Sequence, residues 1–95
     1  MTYSLSVATE ARQNEYEAYH YYEEQLIGLG DDFLQEVEQS YKDLLINPFA
    51  YGYLNNSRVI RSLRLNRFPF IVIFIVHNQH IDVISVRHMS RKPFI

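Results

Sequence analysis

The 95-residue chain has no cysteine and no tryptophan, three glycines and three prolines, and its longest apolar run extends only from Phe68 to Val76. Each shortage removes a class of protein. Without cysteine there is no disulfide, no thiolate zinc site and no cysteine nucleophile, which fits a reducing compartment. The apolar run is about half of what a membrane-spanning helix requires. The start, Met-Thr-Tyr-Ser-Leu-Ser-Val, lacks the charged opening and continuous apolar stretch of a signal peptide. These absences predict a cytoplasmic protein that makes no membrane contact.

What is present is ordinary in amount and uneven in placement. A hydrophobic fraction of 47% and a charged fraction of 21% are those of a globular protein. The length suits one domain over residues 1–95, burying about 60–65% of the unfolded surface. The net charge of −2 hides a polarity along the chain. Before Pro48 stand two basic and ten acidic residues, net −8; from Pro48 onward stand seven basic and one acidic, net +6. A concentrated basic surface on a small domain is the electrostatic signature of a phosphate ligand or an acidic partner. Arg61, Arg64, Arg67, Arg87, Arg91 and Lys92 are therefore the candidate binding residues.

Periodicity supplies the elements. Tyr3, Leu5 and Val7 alternate with Thr2, Ser4 and Ser6, the pattern of a strand with one buried face. Thr9 is placed to cap a helix that runs to about Leu26, with Ala11, Ala18, Tyr22 and Leu26 on one stripe that Glu15 interrupts. Gly28 and Gly30 break that helix, and Asp31 or Asp32 is placed to cap a second. There Phe33, Val37, Tyr41 and Leu44/Leu45 recur at three- and four-residue steps until Asn47-Pro48 stops the pattern. Residues 48–57 read as an aromatic-rich loop. Arg58–Leu65 alternates loosely as a strand, Phe70–Val76 is the continuous Ile/Val/Phe run of a central strand covered on both faces, and Ile81–His88 returns after a polar hairpin connection. The order β-α-α-β-β-β predicts an α+β fold, an α-hairpin packed on one face of a small antiparallel sheet.

This order, together with Leu29-Gly30-Asp31-Asp32-Phe33 between the helices, Phe68-Pro69-Phe70 before the central strand, and Ile84-Ser85-Val86-Arg87-His88-Met89-Ser90-Arg91-Lys92-Pro93 at the end, resembles the RelE/ParE family. These are toxins of type II toxin–antitoxin modules, and the likeness spans essentially the whole chain. It implies growth inhibition, neutralisation by a cognate antitoxin, and no cofactor or metal. It leaves the target between two classes: ParE-like members poison DNA gyrase, and RelE-like members cleave mRNA on the ribosome.

Metal-free RNA cleavage needs a base for the 2′-hydroxyl, cations for the phosphorane and an acid for the leaving oxygen. His88, Arg61 and Arg91 are the catalytic candidates for such a ribonuclease, joined by Arg64 as a cation. Arginine clamps phosphate well and is a poor base, which leaves His88 as the acid–base candidate; its bland alternative is a strand-ending histidine bonded locally. Several cleaving relatives carry a tyrosine beside this terminal cluster. Here Met89 follows His88 and no tyrosine follows Tyr53. The His-x-x-Arg-x-Pro ending looks more like the ParE-like branch, so the gyrase-binding reading leads and the ribosome-dependent endonuclease is its alternative.

Three further features have plain readings. Arg61, Arg64 and Arg67 recur every three residues, a spacing that on a strand sends them to alternate faces, so at most two share a surface. His77-x-x-His80 has only Asp82 nearby and lacks a third ligand at convincing spacing, so it reads as a hairpin pair and not as a metal site. Tyr16, Tyr19, Tyr21 and Tyr22 surround too much of the first helix to be all core, and some face solvent or a partner. Glu10, Glu15, Glu17, Glu23 and Glu24 read as a solvated helix face.

Overall fold

The structure, a computed structural model, describes residues 2–90. Strand β1 is Ser4–Val7, helix α1 Thr9–Gln25, helix α2 Leu29–Ile46, strand β2 Ile60–Arg64, strand β3 Phe70–His77 and strand β4 His80–His88; a single 3₁₀ turn, Pro48–Ala50, follows α2. The four strands form one sheet in the order β1-β4-β3-β2. The α+β fold with two helices packed on the sheet is as the sequence implies. One detail differs: β2, β3 and β4 are antiparallel neighbours, whereas β1 lies parallel to β4, so the sheet is mixed. The reason is connectivity. α1 runs on from β1 toward the His88 end of β4 and α2 returns to the end of the sheet where β1 starts, with Phe49 against Tyr3, so β2 sets out from the same end as β1 and two antiparallel steps leave β4 parallel to β1.

Along β1, Leu5 and Val7 pack against the core while Ser4 and Ser6 face the other way. Only Ala8 separates β1 from α1, and its N–H donates to the Val83 carbonyl at 2.8 Å. Ala8, not Thr9, is thus the N-cap, and it offers no side-chain acceptor. Thr9 cannot cap because the tie to β4 draws the chain straight into the first turn.

The turn between the helices departs from the expected capping as well. Gly28 precedes α2 with φ +91°, a left-handed conformation that favours glycine. No aspartate caps α2; Glu23 of α1 accepts from Gly28 N and Gly30 N at 2.9 and 3.0 Å. Asp31 and Asp32 instead occupy the first turn, where their charge suits the helix dipole. Gly30 has a second constraint, because a Cβ there would lie 2.6 Å from the Tyr19 carbonyl oxygen.

The helix faces are unequal. α2 buries Phe33, Val37, Tyr41 and Leu44 as its periodicity predicts. α1 buries only Ala11, Glu15 and Ala18, while Leu26, expected on the same stripe, is 64% exposed beside the turn. Glu15 does not interrupt the stripe; it belongs to it. Tyr41 Oη donates to Glu15 Oε2, and Arg12 Nη1 lies 3.1 Å from Oε1, so the buried carboxylate has both a donor and a cation. Burial, then the bond to Glu15, pushes the Tyr41 phenol far above its ordinary range.

The aromatic heart of the core is Phe33, Phe68, Phe70 and Tyr22, with ring centroids 4.8–6.2 Å apart and mostly edge-to-face. The pairing of β3 with β4 slips between Ile73 and Phe74, leaving Ile84 as the extra residue of a bulge. Asn14 of α1 reads that bulge: its Oδ1 accepts from Val86 N and from Ser85 Oγ, each at 3.0 Å. The helix is thereby fixed over the last turns of β4.

Candidate functional site

The three arginines of β2 and the turn after it go in three directions. Arg61 pairs with Phe74, whose side chain is in the helix-side core, and so faces the helix side of the sheet. There its guanidinium sits between the Phe49 and Tyr53 rings, 5.0 and 4.2 Å from their centroids, and Nη1 donates to the Tyr51 carbonyl at 2.6 Å. It binds the 48–57 loop back onto the sheet, helped by a Tyr53–Arg61 bridge along the outer edge of β2. Arg67 turns to α2, 3.4 Å from Asp32, while Glu36 accepts from the backbone N–H groups of Asn66 and Arg67. Arg64 is exposed on the face away from the helices. It pairs with Ile71, which in turn pairs with Arg87, so these two arginines flank one isoleucine on that open face. Arg91 and Lys92 lie outside the described residues.

His88 ends β4 on the helix side, edge-on to Phe70 with centroids 5.2 Å apart. Its Nδ1 accepts from Ser90 N at 3.0 Å, with Ser90 Oγ at 2.7 Å. A backbone N–H only donates, so the neutral ring carries its hydrogen on Nε2. His88 in this state can donate a hydrogen bond from Nε2, and the nitrogen that could take a proton is already occupied.

Beside His88 opens a groove of about 380 Å³ between α1 and the end of β4. Glu10, Asn14, Glu17 and Tyr21, at spacings of four, three and four, form its outer wall on one ridge of α1; Ala18, Tyr22, Phe70 and Val86 make the floor. Burial in that floor, with a smaller effect from Tyr21, raises the Tyr22 phenol above its ordinary value. The helix-period ridge was available in the sequence, but the floor joins α1 to strands about fifty residues further on and left no local signal.

His77 and His80 are cross-strand partners at the hairpin, and they take no metal-like arrangement: among the described residues no group of three His, Asp or Glu side chains is placed to hold an ion. His80 is engaged across the sheet, Nδ1 2.6 Å from Ser4 Oγ and Nε2 2.9 Å from Ser6 Oγ and 3.1 Å from Asp82. It ties β1 to β4. Among the described residues no helix is long and apolar enough to cross a membrane.

The family model for the ParE toxin of the parDE type II toxin–antitoxin system matches residues 5–93. The chain belongs to that ParE toxin family. Solved structures agree on the fold of this ParE chain. It superposes on the chromosomal ParDE toxin–antitoxin system from P. aeruginosa with a TM-score of 0.82 and 20% identity, over 93% of this chain and 97% of that one. The RelBE2 toxin–antitoxin complex from Mycobacterium tuberculosis gives a TM-score of 0.64 at 16% identity, covering 93% and 99% of the two chains. The YoeB dimer from Staphylococcus aureus gives 0.58 at 16% identity, covering 90% and 94%. No curated protein sequence matches.

Proposed function

We propose that this toxin, acting in the cytoplasm as one domain spanning the chain, stops growth by binding DNA gyrase, and that a cognate antitoxin neutralises it. The observation that carries this reading is the state of His88. Ser90 occupies Nδ1, so the best acid–base candidate lacks a bare nitrogen for a 2′-hydroxyl proton. Arg61, the cation a ribonuclease would place beside it, is held in an aromatic clamp by its own loop. A binding-only toxin needs neither group as a catalyst. It needs an accessible cationic surface, for which the exposed Arg64 and the half-buried Arg87, with Arg91 and Lys92, are the candidates. The folds shared with RelBE2 and YoeB keep the ribosome-dependent mRNA endonuclease as the alternative.

The test is brief expression without antitoxin, read for transcript integrity and for DNA breaks, alongside gyrase supercoiling with purified toxin. Intact mRNA, a DNA-damage response and inhibited supercoiling are expected. Codon-positioned mRNA cleavage that disappears in His88→Ala would overturn the proposal in favour of the endonuclease.

A further inference from the structure

β3 is apolar on both sides, and the two helices cover only one of them. Val72 and Phe74 point into the helix-side core, so Ile73 between them points to the open face, and it takes no part in that core. Ile73 is nevertheless 0% exposed. Its neighbours across the sheet are too small to bury it. Ser62 lies opposite it on β2, and beyond Ser62 comes only Gly52, whose carbonyl accepts from Ser62 N at 3.1 Å. On β4 its partner Ser85 turns its Oγ away, to Asn14 on the helix side. Along the strand Ile71 and Ile75 stand about 6–7 Å to either side, and both are only half-buried. With the half-buried Ile60 and the bulge residue Ile84 they form an apolar stripe around Ile73. A sheet face left to water exposes its central isoleucine, so complete burial requires a layer laid over it.

We infer that the open face is a docking site for the chain's own segment 91–95, Arg91-Lys92-Pro93-Phe94-Ile95, which folds back from the end of β4 and rests Phe94 and Ile95 on the isoleucine stripe. The burial of Ile73 belongs to the single chain, so neither a second copy nor an antitoxin is its cause. Reach selects the segment. The stretches outside the described residues are Met1 and 91–95. Met1 precedes Ser4, which lies opposite His80, and β4 stands between that strand and β3. Ile73 is level with Ser85, five residues or about 16 Å further along, whereas the three residues from Ser4 back to Met1 span about 10 Å at most. The other segment starts beside the stripe. Met89 N donates to the Pro69 carbonyl at 2.8 Å, which sets Ser90 at the Phe70 end of β3, about 10 Å from Ile73. Five extended residues span about 17 Å, enough to cross it. The chemistry agrees with the reach: Pro93 has no N–H with which to prolong a strand ladder, Phe94 and Ile95 match the stripe, and Arg91 and Lys92 stay at the solvent rim near Arg64.

The absence of tryptophan and cysteine makes the test clean. Phe94→Trp puts a single fluorophore in the segment, and Val59→Trp puts one at a site that is 60% exposed. The Phe94→Trp protein is expected to emit further to the blue and to be quenched by acrylamide about threefold less than Val59→Trp, with the difference lost in guanidinium. A second measurement does not depend on the new ring. Ser62→Cys/Ile95→Cys is expected to form an intramolecular disulfide under mild oxidation, whereas Glu38→Cys/Ile95→Cys, with its first cysteine on the exposed side of α2, is not. Melting curves verify the fold of each variant. Equal quenching of the two tryptophans in folded protein, or equal cross-linking of the two cysteine pairs, would overturn the inference. Neither measurement involves a target or an antitoxin, so that failure would leave the gyrase-binding reading where it stands.

Discussion

The two faces of the sheet treat charge in opposite ways. On the covered side several charged side chains have an internal use: Arg61 holds a loop, Glu15 is satisfied by Tyr41 and Arg12, and Glu23 and Glu36 satisfy backbone N–H groups at two turns. On the open face Arg64 is exposed, and the ring of polar groups at its far end, Ser4, Ser6, His80 and Asp82, joins two strands without sealing the surface. The lesson is that a count of basic residues measures supply and not availability. Of the three arginines between residues 61 and 67, two are engaged by the protein itself.

The sharpest way to break the contrast is to empty the covered face. Phe33→Ala removes a ring in contact with Tyr22, Phe68 and Phe70 and is expected to cost about 3–5 kcal/mol in denaturant unfolding. Tyr41→Phe is next, at about 1–3 kcal/mol near neutral pH, since it leaves the buried Glu15 carboxylate short of a donor. The same variant has a pH signature. Because the folded protein holds the Tyr41 proton beyond its ordinary value of 10.0, that stabilisation is fully present below about pH 10 and declines as pH rises beyond it. Alkaline titrations of stability are expected to fall less steeply in Tyr41→Phe than in wild type; parallel slopes would contradict the buried pair.

A smaller effect separates the arginines directly. Arg61→Ala loses the aromatic clamp and the Tyr51 bond and is expected to lower stability by about 1–2 kcal/mol, with the 48–57 loop becoming the first site of proteolysis. Arg64→Ala is expected to change stability by no more than about 0.5 kcal/mol and to act only on target or antitoxin binding. Equal stabilities of the two variants would erase the distinction between the faces. Smallest of all is His88→Ala, which under the gyrase-binding reading leaves growth inhibition close to wild type.

Much of this architecture was legible because the relevant signals are local. The period of α2, the alternation of β1 and the unbroken Ile/Val/Phe run of β3 each state their element within a few residues. Glu15 was misread because a carboxylate at a core position looks like an interruption unless its partner is known, and Tyr41 lies 26 residues away. The caps failed for a related reason: the donors at the start of α2 are satisfied by Glu23 from the preceding helix, and α1 begins under the pull of Val83. For the candidate site, strand alternation showed that Arg61 and Arg64 must part company. It could not show which face the helices would cover, and the groove, assembled from α1, β3 and β4, has no sequence-local trace.

The register of β1 has a consequence for how the protein comes into being. Ser4 sits opposite His80 and Val7 opposite Val83, so the first strand to be synthesised waits for the last before its backbone finds a partner. Closing contacts across so much chain is slow, and a chain stopped before residue 80 lacks a mate for β1 and a floor for the groove. Premature termination before residue 80 should therefore yield a harmless product, whatever the target of the finished one.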